Sequence, residues 1–84
     1  METRIALIGI IVENSEAVEG LNAILHEYSK YIIGRMGIPY KQRNVSVISV
    51  VVDAPTDIIS ALSGKLGMLP NVNAKTVYSK LSSQ

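Results

Sequence analysis

Two stretches of this chain, Ile5 to Val12 and Val45 to Val52, are apolar at odd and even positions alike and dense in β-branched residues. Each is too short for a confident helix, so both read as strands. Strand side chains alternate between faces, so a strand apolar at both parities must be covered on both sides. On the first strand Ile5, Leu7 and Ile11 share one face, and Ala6, Ile8, Ile10 and Val12 the other. On the second, Val45, Val47 and Val51 oppose Ile48, Val50 and Val52. The pattern does not say which parity meets the core.

The intervening sequence supplies the rest of a βαββαβ order. Asn14-Ser15 offers an N-cap, with Glu16 and Glu19 in the first turn where carboxylates suit the helix dipole. Val18, Leu21, Ile24, Leu25 and Tyr28 then fall at helical spacing, with Glu16, Asn22 and Glu27 away from the stripe. Tyr31 to Met36 reads as a strand running into a loop broken by Gly34, Gly37 and Pro39. The polar link Lys41-Gln42-Arg43-Asn44 makes a hairpin with the Val45 strand. Pro55 suits the first turn of a helix marked by Ile58, Ile59, Leu62 and Leu66, which Gly67 can stop. Pro70-Asn71 turns the chain into a last strand, Val72 to Tyr78.

Right-handed crossovers turn that order into an α+β, ferredoxin-like fold: a four-stranded antiparallel sheet of order 4-1-3-2 with two helices on one face. With 84 residues, the chain is expected to form one domain over 1–84. Its two-sided central strands then lack a cover on the face away from the helices. Another copy of the sheet or a partner is the expected cover, with self-association as a homodimer or homotetramer the expected form.

Composition removes several functions this fold can host. The chain has no cysteine, hence no disulfide, thiolate nucleophile or cysteine-based metal site. No cofactor motif is present, and the expectation is of no metal and no cofactor. An RNA-recognition module would place stacking aromatics on strands one and three, which carry none. An acylphosphatase-like site needs anion donors after the first strand, where Val12-Glu13-Asn14-Ser15 would repel phosphate. The formal charge of +1 gives no reason to expect nucleic acid or anionic lipid. The opening Met1-Glu2-Thr3-Arg4 and its short apolar run make a poor secretory signal, no run is long enough to span a membrane, and the expected location is the cytoplasm.

Charge is nonetheless uneven. Five glutamates face Arg4 alone between residues 2 and 27, whereas seven cations face Asp53 and Asp57 between 30 and 80. Arg35, Lys41 and Arg43 belong to the hairpin segment. They can form a small-anion site, with glycines admitting the ligand to the backbone and arginine forking its oxygens, or simply keep an edge strand soluble or meet an acidic helix in a neighbouring subunit. The residues singled out as ligand-binding are Gly34, Arg35, Met36 and Gly37. His26, the only histidine, reads as a helix-surface or packing residue; ligation would require symmetry to bring copies together. No nucleophile accompanies a base, so no catalytic residue is assigned.

The run Ile32-Ile33-Gly34-Arg35-Met36-Gly37-Ile38-Pro39-Tyr40, with Leu25-His26-Glu27-Tyr28 before it and Ser63-Gly64-Lys65-Leu66-Gly67 after it, resembles the family called iron-only hydrogenase system putative regulators. The resemblance covers essentially the whole chain. It implies an ACT-like domain, similar to the C-terminal domain of the nickel-responsive regulator, with a ligand-sensing or assembly role and a ligand between subunits. Against that broader comparison the chain lacks a ribbon-helix-helix segment and the His and Cys set for nickel, so neither direct DNA binding nor nickel sensing is expected. The reading is a non-enzymatic regulatory domain. Alternatives are an enzyme or maturation accessory binding a small anionic substrate at the hairpin, or a purely structural oligomerisation module.

Overall fold

In the computed structural model, which describes residues 2–14 and 16–80, the elements follow the expected order. They are β1 (Arg4–Val12), α1 (Ala17–Glu27), β2 (Ile32–Tyr40), β3 (Val45–Ala54), α2 (Thr56–Gly67) and β4 (Val72–Tyr78), with short 3-10 turns at Ser29–Tyr31 and Lys41–Arg43. The sheet runs β2-β3-β1-β4, which is the order 4-1-3-2 read from the other edge, and every pairing is antiparallel. No helix among the described residues is long and apolar enough to cross a membrane.

The even-numbered set of each central strand is the one that meets the helices. Ala6, Ile8, Ile10 and Val12 of β1 and Ile48, Val50, Val52 and Ala54 of β3 are buried against Leu21 and Leu25 of α1 and Ile59, Leu62 and Leu66 of α2. The odd-numbered set contains Gly9, Ser49 and Asp53, which would leave voids or an unpaired charge in a core. Shape and polarity thus decide a parity that hydrophobicity alone leaves open.

Local chemistry sets the element ends. The side chain of Asn14 accepts the Glu16 amide at 2.9 Å and its carbonyl accepts the Ala17 amide at 3.0 Å, which starts α1. Ser15, the other expected cap residue, lies outside the described residues. Pro55 precedes α2, and its carbonyl accepts the Ile58 and Ile59 amides. Two asparagines hold left-handed turns, Asn44 (φ 57°) at the hairpin and Asn71 (φ 63°) before β4.

The second strand departs from the expected reading. It does not stop at Met36 but continues through Gly37 and Pro39, with Ile38 opposite Val47 and Tyr40 opposite Val45. The breakers are tolerated because β2 is an edge strand, where a missing amide donor costs the sheet little. A bulge lies between Ile32, which pairs with Val52, and Gly34, which pairs with Val51. From Gly34 onward the alternation of β2 is therefore shifted by one residue.

Across the two helices, Lys65 Nζ of α2 lies 2.9 Å from a carboxylate oxygen of Glu27 and 5.1 Å from the ring centroid of Tyr28. The Glu27 hydrogen bond, and after it Tyr28, hold this ammonium above its ordinary pKa. A raised folded-state pKa means the contribution is complete at neutral pH and is lost as the pH rises through the raised value. Both side chains are well exposed, so the effect is small. In thermal melts, the native protein should lose stability above about pH 10.5 more steeply than a Glu27→Gln variant; parallel curves would show that the tie contributes nothing.

Candidate functional site

The face of the sheet away from the helices is uncovered. Register places its outward side chains in rows: Gly34, Val51, Leu7 and Val77; then Met36, Ser49, Gly9 and Lys75; then Ile38, Val47, Ile11 and Asn73. Ile5 and Asp53 lie beyond the first row. Ile5, Leu7, Ile11 and Val47 are 40 to 44% exposed, and Met36, Ile38 and Val77 more so. The surface is thus apolar above and below a middle row with small residues at its centre. Lys75 and Asp53 leave it without net charge.

The four residues singled out from sequence do not form one surface. Strand alternation sends Gly34 and Met36 to the open face, while Arg35, opposite Val50, and Gly37, opposite Ile48, lie on the helix side. Nor does the fold gather the three cations of the hairpin segment. Lys41 and Arg43 occupy the tip turn, and Lys41 is six residues from Arg35, about 20 Å along an extended strand.

Arg35 instead borders a crevice between α1 and β2, formed because α1 covers the central strands and leaves the edge strand overhanging. One part, a cleft of about 350 Å³, is walled by Asn22, Leu25, His26 and Ser29 on one side and Ile32 and Arg35 on the other. A smaller depression of about 210 Å³ continues past Arg35 to Val18, Gly37, Pro39 and Ile48. Among the described residues the Arg35 side chain has neither an ion pair nor a hydrogen bond. The sequence sets Asn22 away from the apolar stripe of α1 and reads His26 as a helix-surface or packing residue. Their spacing with Ser29, four residues and then three, is the signal that they share one helical flank; what it lacked was the strand facing that flank.

His26 is exposed, as expected of a helix-surface residue. Among the described residues no three His, Cys, Asp or Glu side chains come together in a way that could hold a metal. Another cleft, of about 290 Å³, lies between the start of α1 and the Pro70-Asn71 turn, with Glu16 in its wall.

The sequence from residue 4 to residue 76 matches the model of the TM1266-like family, described as "Iron-only hydrogenase system regulator, putative". The chain belongs to this family. It is also similar to a solved structure, that of the uncharacterized protein TM1266 from Thermotoga maritima. The two are 38% identical, with a TM-score of 0.90 over 94% of this chain and 100% of that one. No curated protein matches the chain. The family description agrees with the resemblance carried by the Gly-Arg-Met-Gly-Ile-Pro-Tyr segment, and the solved relative has the same fold.

Proposed function

We propose that this chain is a non-enzymatic regulatory domain of the iron-only hydrogenase system, acting in the cytoplasm as a homodimer or homotetramer that senses a small ligand. The observation that carries this reading is the open face of the sheet. Four strands about 4.8 Å apart, outward-facing over about seven residues of β1, make a patch near 19 by 24 Å. Two such patches pressed together bury on the order of 1,000 Å², the threshold for a specific interface. A second copy is the occupant that suits this surface, because one lysine and one aspartate balance on it and small residues at its centre allow close approach.

In this reading the domain works by changing how it assembles, and through assembly what it presents to a partner. The family description supports a regulatory role. A maturation accessory that binds a small anionic substrate is the alternative, and the unpaired Arg35 is the observation that favours it.

Light scattering coupled to size-exclusion chromatography at micromolar concentration tests the proposal. The expected mass is two or four times that of the chain, with a fraction of monomer that grows on dilution. A monomer at every concentration, with no apolar dye binding to the sheet, would overturn it.

A further inference from the structure

The open face and the ligand are separate matters in this fold. We infer that the cleft between α1 and β2 is a binding site for a small oxyanion, a carboxylate or phosphate carried on a short apolar body, with Arg35 as its principal anchor. This deepens the ligand-sensing part of the proposed function and takes its regulatory meaning from that reading. The ACT-like resemblance implies a ligand between subunits; this cleft is walled by a single chain, on the helix side of the sheet.

Its wall has the two kinds of surface a metabolite needs. Arg35 presents a planar guanidinium that can fork two oxygens of a carboxylate or phosphate. Facing it along one flank of α1 and the turn that follows are Asn22, His26 and Ser29, each able to donate a hydrogen bond. Leu25 and Ile32 supply the apolar floor between the two walls. At about 350 Å³ the cleft is within the range of small-molecule pockets.

The electrostatics agree with an anion, although α1 is the most acidic element of the chain. No carboxylate is among the described residues lining the cleft. Glu27, the neighbour of His26, is turned to the other side of the helix, where Lys65 of α2 holds it at 2.9 Å. An arginine that served only to keep an edge strand soluble would need none of these donors opposite it.

The bulge in β2 is what puts Arg35 there. Without it Arg35 would fall opposite Ser49 on the open face, and the cleft would lose its charge. The same shift keeps the arginine out of the apolar patch that the proposed assembly uses. A regulator of this design would hold its ligand against the back of the sheet whose front meets the second copy, with β2 and β3 common to both.

The experiment is a two-dimensional NMR titration of the full chain at pH 7 with sodium phosphate and, separately, with sodium butyrate, against sodium chloride at matched ionic strength. The expected result is saturable movement of the Asn22, His26, Ser29 and Arg35 amides with one or both oxyanions and not with chloride. Saturation with phosphate alone assigns a phosphate ligand, and saturation with butyrate alone a carboxylate carried on an apolar chain. Arg35→Gln should weaken the response at least about tenfold and His26→Gln by a smaller factor, while Arg43→Gln at the hairpin tip changes it less than about twofold. Equal movement with chloride, no saturation up to about 100 mM of either oxyanion, or equal losses in Arg35→Gln and Arg43→Gln would overturn the site. Where the moving amides lie in the native protein decides the question even if Arg35→Gln proves unstable. A monomeric native protein that still binds would overturn the assembly and leave the cleft standing; an oligomer without binding would do the reverse.

Discussion

Replacing Leu7 with glutamate should turn the protein into a monomer without unfolding it. Leu7 stands between Val51 and Val77 in the row that crosses all four strands, and it is 43% exposed in the single chain, so a carboxylate there stays hydrated. In a face-to-face assembly the same carboxylate would be buried in an apolar layer, near its own symmetry mate. An unpaired buried charge costs several kcal/mol, enough to weaken association by two or more orders of magnitude. Sedimentation at a concentration where the native protein is fully assembled should show the monomer, and circular dichroism should show unchanged secondary structure. The melting temperature of the variant should also cease to depend on protein concentration. An assembly of native mass in Leu7→Glu would show that copies meet elsewhere, for instance along the edge of β2. Ser60→Glu, on the exposed side of α2, is the matched control and should leave the mass unchanged.

The second large effect belongs to the core. Leu62 of α2 is 1% exposed and packs in the cluster that joins both helices to β1 and β3. Leu62→Ala removes buried methyl groups and leaves a cavity, a change that costs about 2.7 to 5 kcal/mol at comparable sites. A chain of this size has a total stability of about 4 to 13 kcal/mol, so the loss is a large share of it. At roughly 4 to 8 °C per kcal/mol, the melting temperature should fall by more than about 10 °C. A fall of only a few degrees would mean that the helices repack around the gap. The two variants should separate cleanly: the first is expected to abolish the proposed assembly and spare the fold, the second to weaken the fold itself.

How far the sequence could be read depended on which physical signal each feature carried. Element order was legible because β-branched runs, capping residues and helical spacing agreed with one another in β1, α1, β3 and α2. The open face was legible as a need for cover, but not as a particular set of residues. Both parities of the central strands are apolar, and only Gly9, Ser49 and Asp53 mark one set as unfit for a core. The end of β2 was misread because Gly34, Gly37 and Pro39 are breakers in a central strand and acceptable at an edge, and edge or centre is a property of the whole sheet. Arg35 was legible as an arginine in need of a reason. Its neighbours were not, because Asn22, His26 and Ser29 come from a helix flank that meets β2 only after the chain has turned back, and no local pattern records that meeting.

The bulge at Ile33 gives this fold a form of addressing. Every residue from Gly34 to Tyr40 takes its side of the sheet from a count of backbone units made once, between Ile32 and Gly34. Substitutions along the strand alter what is delivered to each side; drawing Ile33 into the ladder would alter the destination of all of them together. Regular pairing through Ile33 would instead place Arg35 opposite Ser49 in the apolar layer and send Met36, Ile38 and Tyr40 to the helix side, undoing two surfaces at once although no residue of either had changed. The side each residue of this strand serves is therefore set by which residue is left out of the ladder, and not by the residue's own character.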